Sequence, residues 1–430
     1  MRTEGQTDRD CKSLLRELDH RYLWHPFTQM KDWVNEEPAI IASADGPILR
    51  DVNGREYLDA NSSIWTNLHG HRHPTITQAI KDQLDRIAHS SFLGLSNEPA
   101  IRLAEKLIQI APRGLTRVFY SDDGSTAMEV AIKMAAQYWQ HKGERSRTKF
   151  VAFADAYHGD TLGAVSIGGI DLFHAAFKPL LFDVIRVNDL TGLRKIVDEQ
   201  HHTLAAVVIE PLVQGAAGMK LWPRGLLAEL RRLCTKHGVL LIVDEVMTGF
   251  GRTGTMFACE QEGVTPDLMA VAKGLTGGYL PLAATLTTED IFHAFLGEYS
   301  EFKTFFHGHS YTGNQLGCAA ALANLQVFED ERTLEKLQPK IARLKAGLDR
   351  CRKLSHVVDV RQIGFIGAVE VGPYALEDRM GIKVCTEMRR RGVLTRPIGN
   401  TIVLMPPYCI TDSQLDRLFT ALAEAVQTVQ

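Results

Sequence analysis

The feature of this sequence that most restricts its fold lies between about residues 72 and 310, where short continuous apolar runs alternate with helical windows. Strands that are apolar on both faces belong to parallel sheets covered by helices, so we predict an α/β fold with a mostly parallel sheet. Ligands on such sheets bind beyond the carboxyl ends of the strands. The predicted strands are RVFY (117–120), KFVAF (149–153), LAAVVIE (204–210), VLLIVDE (239–245) and LMAVA (268–272).

The regions on either side have patterns of their own. Residues 38–60 alternate short apolar runs with Asp-Gly and Asn-Gly turn pairs, which indicates a meander of small strands. Towards the C-terminus a long helical stretch is followed by short strands, an order typical of a separate α+β lobe. We therefore predict a large domain from 72 to 311, and a smaller α+β domain that combines the N-terminal segment 1–71 with the C-terminal segment 312–430.

Composition restricts the partners and the compartment. The formal net charge is −3, so we expect no nucleic-acid partner and no membrane partner. The seven cysteines are scattered, without a C-x-x-C pair or metal-ligand spacing, which favours reduced thiols, no metal site and a cytoplasmic location. The N-terminus is charged and lacks the apolar stretch of a secretory signal, and no window approaches the roughly 18 apolar residues of a membrane span.

A phosphate-binding position is predicted at Gly124 and Ser125. These residues follow the run RVFY and begin a helix whose apolar stripe includes Ala127 and Val130. The N-terminus of a helix presents unpaired N–H groups and the positive end of the helix dipole, which together favour an anion. The alternative is that Ser125 only caps the helix, with Glu129 in its first turn.

An acidic strand end and a downstream lysine are the next candidates. Asp244 and Glu245 end the run VLLIVDE, and a buried carboxylate needs a cation or a hydrogen-bond donor. A protonated pyridine nitrogen would satisfy Asp244, and Arg252 in the following loop is the alternative partner. Lys273 lies in an apolar, glycine-rich stretch, where a lowered pKa would suit imine formation, unless its amine reaches the surface.

Other candidates are weaker on residue type alone. Tyr157 follows a strand and is suited to cover a flat cofactor, with core packing as the alternative. The loop HGHSYTGN offers N–H groups and the Ser310 hydroxyl to an anion. Arg396 is suited to a bidentate contact with a carboxylate or to a surface ion pair. Trp65 and the run Trp24-His25-Pro26-Phe27 would line a cleft or belong to the core.

Taken in chain order, these segments resemble the class III aminotransferases that use pyridoxal phosphate. The order is Gly-Ser before a helix, Tyr-His-Gly, Ile-Glu-Pro, an aspartate at a strand end, and a lysine after the next strand. The likeness extends from WHPFTQM near the N-terminus to TRP and LMPPY near the C-terminus. It implies the fold type I architecture, a pyridoxal 5'-phosphate cofactor and a homodimer with shared active sites.

The resemblance also implies a role for each candidate. Gly124 and Ser125 would bind the phosphate, and Gly308, His309 and Ser310 would reach the cofactor of the neighbouring subunit. The catalytic residues would be Lys273, Asp244 and Tyr157, which carry the cofactor, hold its pyridine nitrogen and cover its ring. The cofactor-binding residues would be Gly124, Ser125, Tyr157, Glu210, Asp244, Lys273, His309 and Ser310. The residues that contact substrate would be Phe27, Trp65, Tyr157, Lys273, Gly308 and Arg396, with Arg396 taking a carboxylate.

Within the family, segments such as NSSIWTNLHGHRHP and YHGDTLGAVS are similar to those of the biotin-pathway members, which convert 8-amino-7-oxononanoate to 7,8-diaminononanoate. The mechanism implied is ping-pong transamination, with Lys273 as general base and acid. S-adenosylmethionine is the expected amino donor. Phe27 stands where many members have tyrosine, and losing a hydroxyl removes a hydrogen bond worth about 0.5–1.5 kcal/mol, so lysine is the other donor to test. Asp123 replaces a commoner serine.

Three other functions are alternatives. An ω-amino acid:pyruvate or ornithine-type aminotransferase would keep the cofactor and change the substrates, and a glutamate donor would reveal it. A catalytically silent pyridoxal-phosphate-binding dimer would bind the cofactor without turnover. A kinase or NTPase is disfavoured, because the sequence has neither a G-x-x-x-x-G-K-[ST] loop nor a kinase-like glycine-rich loop with its lysine.

Overall fold

The computed structural model describes residues 4–429, with side chains described from residue 13 onward. A seven-stranded sheet forms its centre and contains all five predicted strands to within three residues at each end. The strands run parallel except Ala283–Thr288, which pairs antiparallel with both neighbours and was not predicted. The spatial order is Leu115–Ser121, Ala283–Thr288, Leu268–Val271, Leu240–Asp244, Leu204–Ile209, Lys149–Phe153 and Val184–Val187.

Alternate residues of the central strands pack into two different apolar clusters. Val207 and Val243 belong to one cluster, whereas Val208 and Ile242 belong to the other. Because successive side chains of a strand point to opposite faces, both faces of the sheet are buried. The α/β fold class is therefore confirmed, and the edge beyond the carboxyl ends of the parallel strands remains available for a ligand.

Helices surround the sheet, and several begin at a side chain that accepts a hydrogen bond from the first turn, as Asn97 does from the Ala100 N–H. The helices that precede the C-terminal region are Glu4–Tyr22, Met30–Trp33, Pro74–Arg86, Glu98–Ile110, Gly124–His141, Leu162–Ile167, Asp171–His174, Leu190–Gln200, Leu226–His237 and Glu289–Ala294. Short 3-10 turns are Ala175–Leu180, His201–Thr203, Ala258–Glu262, Lys273–Thr276, Tyr299–Glu301 and Leu376–Asp378.

The two ends of the chain meet in a smaller sheet. The predicted meander forms the strands Ile41–Asp45, Ile48–Asp51 and Glu56–Asp59, and the C-terminal strand Val393–Leu394 pairs parallel with the last of these. A second four-stranded sheet has the order Val357–Ile363, Ile366–Val371, Thr401–Leu404, Pro397–Ile398. A hairpin joins Val213–Gln214 to Lys220–Leu221. The domain limits at residues 72 and 312 stay predictions.

The long helical stretch of the C-terminal region contains two helices, Gln315–Asp330 and Thr333–Cys351. They are separated at Arg332, whose φ of 53° is left-handed and cannot continue an α-helix. The remaining helices are Met380–Arg390 and Asp412–Thr428.

Between residues 4 and 429, no helix is long and apolar enough to cross a membrane. No group of three or more His, Cys, Asp or Glu side chains is arranged to hold a metal ion in the described part of the chain. The prediction of reduced thiols for Cys11 lies outside the described side chains. The free cysteines are Cys234, Cys259, Cys318, Cys351, Cys385 and Cys409.

Candidate active site

A cavity of about 730 Å³ opens beyond the carboxyl ends of the central strands. Its walls come from the loops that follow five of the strands, together with the segment around Trp65. The structure therefore gathers residues that are far apart in the sequence. The predicted site residues that line the cavity are Trp65, Gly124, Ser125, Tyr157, Glu210, Asp244 and Lys273.

The N-terminus of the helix Gly124–His141 forms part of the cavity wall. Its cap is Asp123, whose Oδ1 accepts the Thr126 N–H at 2.9 Å, so the expectation that Ser125 caps this helix is wrong. Ser125 Oγ instead accepts the Thr161 N–H at 2.9 Å. The N–H groups of Gly124 and Ser125 have no acceptor within the helix and lie at the positive end of its dipole, an arrangement that suits phosphate.

Asp244, which also lines the cavity, has two protein partners. Its Oδ2 lies 2.7 Å from Nδ1 of His158, and its Oδ1 accepts the Val246 N–H at 3.0 Å. Burial lowers the pKa of His158, but the hydrogen bond and charge of Asp244, together with the charge of Glu210, raise it by more. The net pKa of His158 is above its ordinary value, which favours an imidazolium beside the carboxylate.

Lys273 lies beside an aromatic ring of the cavity. Its Nζ is 4.9 Å from the centroid of the Trp65 indole, inside the cavity rather than at the surface. Burial lowers the pKa of Lys273, and the opposing charges of Asp244 and Glu210 do not restore it. The lysine backbone is also left-handed, with φ of 45°. A buried amine with a lowered pKa is suited to nucleophilic and base chemistry.

Glu210 binds the backbone of the loop that contains Tyr157. Its carboxylate accepts the Tyr157 N–H at 3.1 Å and the Gly215 N–H at 2.8 Å. Burial raises the pKa of Glu210 to about 7. The contacts of this side chain are therefore with the backbone beside Tyr157, which makes Glu210 a residue that positions the aromatic ring.

Tyr157 is fixed by its hydroxyl and by its neighbours. The hydroxyl donates to Asp160 Oδ2 at 2.8 Å, and burial and this hydrogen bond raise the pKa of the phenol. The ring meets Phe173 edge-on at 6.2 Å and lies nearly parallel to His174 at the same distance. Tyr157 thus forms a rigid aromatic wall of the cavity.

The remaining predicted residues lie outside the cavity lining. Arg396 is exposed and donates from Nη2 to the Phe27 carbonyl at 2.9 Å, so the structure brings these two together. Gly308, His309 and Ser310 do not line the cavity, although His309 Nδ1 lies 3.4 Å from Asp122 Oδ2 at its rim in the same chain. Their contact with a neighbouring subunit stays a prediction.

Sequence reasoning missed the partners of the predicted residues. The Tyr-His-Gly-Asp run contained the signal for His158 and Asp160, which follow Tyr157 directly. Arg252 was considered as the partner of Asp244, and that expectation is wrong: the buried guanidinium donates to main-chain carbonyls and lies 5.0 Å from the Tyr408 ring. The carbonyls are those of Asn67, Met405 and Pro406.

Comparison with known proteins assigns this arrangement to a family. The family model Aminotransferase class-III matches residues 30–426. The chain belongs to the class-III aminotransferases. It is similar to the adenosylmethionine-8-amino-7-oxononanoate aminotransferases of Nitratidesulfovibrio vulgaris, at 53% identity over 96% of this chain and 82% of the relative, and of Geobacter sulfurreducens, at 50% identity over 96% and 98%. The crystal structure of the enzyme of that name from Methanocaldococcus jannaschii superposes with a TM-score of 0.96 at 45% identity, over 97% and 99% of the two chains.

Class-III aminotransferases depend on pyridoxal phosphate, and this class-III aminotransferase has the residues to hold it. The cavity is lined by unpaired N–H groups at a helix start, by a buried carboxylate and by an amine. The Tyr157 loop packs closely against the helix start that would hold the phosphate. A Cβ on Gly159 would lie 2.3 Å from Ser125 Oγ, so only glycine allows this approach. The donor set and the shape therefore fit the cofactor.

Proposed function

We propose that this class-III aminotransferase converts 8-amino-7-oxononanoate to 7,8-diaminononanoate in biotin biosynthesis. S-adenosylmethionine is the proposed amino donor, with lysine as the other donor to test. The observation that carries the proposal is the meeting of the Lys273 amine, the Asp244–His158 pair and the helix start at Gly124 in one cavity, in a chain similar over nearly its whole length to enzymes of that name.

Lys273 performs the proton transfers in this account. Bound pyridoxal phosphate supplies the electron sink that lets an amino group leave one carbon and join another. The lowered pKa of Lys273 favours a neutral amine, which can take a proton from the donor carbon; the protonated amine can then give a proton to the acceptor carbon. Asp244, held by His158, would face the pyridine nitrogen, and Gly124 and Ser125 would hold the phosphate.

Tyr157 and Trp65 shape the space in which the substrate reacts. Tyr157 would cover the cofactor ring, because its own ring is fixed by Asp160 and by the Phe173 and His174 side chains. Trp65 lines the cavity beside Lys273. Both side chains exclude water from the amine, which protects the proton transfers from solvent.

Arg396 is the proposed carboxylate ligand of the keto substrate. It is exposed, has no carboxylate partner among the described residues, and is held only by the Phe27 carbonyl. An Arg396→Met variant should therefore raise KM for 8-amino-7-oxononanoate by tenfold or more and leave the donor half-reaction within about twofold, since one charge-assisted pair contributes about 1.5–3 kcal/mol. Equal losses in both halves would remove Arg396 from this role.

A homodimer with shared sites is part of the proposal. The segment around Gly308–Ser310 exposes large aromatic side chains, which in water favour a covering partner. Their exposed fractions are Tyr299 90%, Phe302 64%, Phe306 73% and Tyr311 58%. A second copy that covers this face would carry the loop to the other active site.

Subunit mixing tests the shared site. Lys273→Ala and Ser310→Ala chains, each impaired alone, should regain activity when mixed, because one of the two sites in a mixed dimer would then have both native residues. Lys273→Ala mixed with Asp244→Ala is the matched control, since both residues line one cavity within one chain and no intact site forms. Recovery in the control, or none in the first mixture, would contradict the shared-site arrangement.

The cytoplasm is the proposed location. The support is chemical: the six described cysteines are free thiols, as expected of a reducing compartment. Fractionation of cells that express the protein at its native level, with blotting of the cytoplasmic and envelope fractions, tests this; recovery in the envelope fraction would contradict it.

The donor is identified by a half-reaction. The protein loaded with pyridoxal phosphate is mixed separately with S-adenosylmethionine, lysine and glutamate, and the visible absorbance of the bound cofactor is followed. Loss of the absorbance with S-adenosylmethionine or lysine supports the proposal and names the donor. Conversion by glutamate alone would favour an ω-amino acid or ornithine-type enzyme, and no conversion by any amine would favour a silent binding protein.

A further inference from the structure

The segment Ser62–Trp65 forms a left-handed helical turn at the edge of the active-site cavity. The four φ angles are 47°, 52°, 80° and 67°, although none of these residues is glycine and Ile64 is β-branched. A side chain with a Cβ disfavours this conformation, and consecutive left-handed residues are rare. Such a turn persists only where its surroundings hold it in several places, and it commonly occurs at functional sites.

Asp59 is the main group that holds the turn. Its buried carboxylate accepts hydrogen bonds from the Asn61 N–H at 3.1 Å, the Ser63 N–H at 3.1 Å and the Ser63 hydroxyl at 3.0 Å. The side chain is 2% exposed, so these bonds are shielded from water. The His71 imidazole is also close, with Nε2 3.5 Å from Oδ2.

The turn determines where the Trp65 indole lies. Trp65 Nε1 donates to Asn61 Oδ1 at 2.9 Å, which anchors the ring to the first residue tied by Asp59. The indole lies against Gly215, whose Cβ, if present, would be 3.5 Å from the ring. The face of the ring is 4.9 Å from Lys273 Nζ.

We propose that Asp59 is a positioning residue for the Lys273 amine, because its carboxylate holds the left-handed turn that presents the Trp65 indole to that amine. The face of an indole attracts an ammonium and not a neutral amine, so the contact stabilises Lys273 while it carries a proton. The other charged groups that face Lys273 are Asp244, Glu210 and Arg252. Only the use of this proton, its transfer during transamination, rests on the proposed function.

Asp51 provides a matched control in the same small sheet. It is also buried, and it also accepts two backbone N–H groups and a hydroxyl, from Asn53, Arg55 and Tyr57. It does not line the active-site cavity. Loss of Asp51 therefore reports the general effect of removing a buried aspartate from this sheet.

The test measures the pKa of Lys273 in the protein without cofactor. Acetylation of Lys273 by acetic anhydride is followed across pH by mass spectrometry of its peptide. Asp59→Ala and Trp65→Leu should each lower the pKa of Lys273 by about 0.5–1.5 units, because the ammonium loses its aromatic contact. Asp51→Ala should leave it unchanged. A pKa unchanged in Asp59→Ala, or lowered equally in Asp51→Ala, would overturn the proposal.

Milder variants keep the test decisive if Asp59→Ala does not fold. Ser63→Ala removes one of the three bonds to Asp59, and Asp59→Asn keeps one acceptor oxygen. Both should lower the pKa of Lys273 in the same direction by a smaller amount, and no change in either would overturn the proposal. Because the measurement needs neither cofactor nor substrate, failure of the proposed reaction and failure of this inference are distinguishable.

Discussion

Replacing His158 with leucine should destabilise the cofactor-free protein by about 3 kcal/mol. The imidazole Nδ1 is 2.7 Å from Asp244 Oδ2, and the two side chains are 0% and 6% exposed. Removing one partner of a buried pair costs about 3–5 kcal/mol, because the remaining charge is left without compensation. Asp244 keeps its hydrogen bond from the Val246 N–H, which places the expected loss at the lower end of this range.

The assay is urea unfolding of the cofactor-free protein, and His174→Leu is the matched control. His174 is also buried, but neither of its ring nitrogens has a hydrogen-bond partner in the described structure. Leucine there removes no polar interaction, so the expected change is within about 1 kcal/mol. Equal losses at His158 and His174, or a loss below 1 kcal/mol at His158, would refute the view that His158 compensates the charge of Asp244.

Three further predictions concern single hydrogen-bonding groups. The pKa of Glu210 is raised from 4.5 to about 7, so its favourable contribution to stability is complete below pH 4.5 and is lost as the pH rises through about 7. Relative to Glu210→Gln, the wild-type free energy of unfolding should therefore fall by about 3 kcal/mol between pH 4.5 and 8. Urea titrations across this pH range measure it, and a free-energy difference between the two proteins that does not change with pH would contradict the prediction. Arg252→Met removes the guanidinium donor from three main-chain carbonyls, of which only that of Met405 keeps another donor among the described residues, Ser62 Oγ. The substitution should cost about 3–5 kcal/mol of stability by the same assay, and a loss under 1 kcal/mol would be inconsistent with the observed contacts. Tyr157→Phe and Asp160→Ala should each cost about 1 kcal/mol, and the double variant no more than either, because each substitution removes the same bond; additive losses would show that the bond contributes nothing.

The central strands were predictable because their signal is local. A run such as LAAVVIE is apolar at every position, and the structure buries both faces of Leu204–Ile209. The antiparallel strand Ala283–Thr288 was not predicted, because AATLTT mixes threonine with alanine and its pairing depends on strands far away in the sequence. A local apolar pattern predicts that a segment is a strand. Whether that strand runs parallel or antiparallel to its neighbours depends on the topology of the whole sheet.

The site was predictable one residue at a time, but its pairs were not. Gly124, Asp244 and Lys273 follow strands that end at one edge of a sheet, so their meeting in one cavity follows from the α/β pattern. The bond between His158 and Asp244 joins positions 86 residues apart, and only the order of the strands brings them together.

The turn at Ser62–Trp65 had no signal in the sequence. It contains no glycine, the usual mark of a positive φ, and Ile64 argues against one. Its conformation is held by contacts distant in sequence, including the bond from Ser62 Oγ to the Met405 carbonyl at 2.6 Å. Tertiary hydrogen bonds have overridden local preference at this point.

The acceptor that the enzyme prefers is identified by competition among three keto substrates. The loaded protein, with S-adenosylmethionine or lysine as donor, is given 8-amino-7-oxononanoate together with pyruvate and 2-oxoglutarate, and the products are measured by mass spectrometry. We expect that 7,8-diaminononanoate is the main product and that Lys273→Ala forms none. Alanine or glutamate as the main product, with no diamine, would contradict the proposed function.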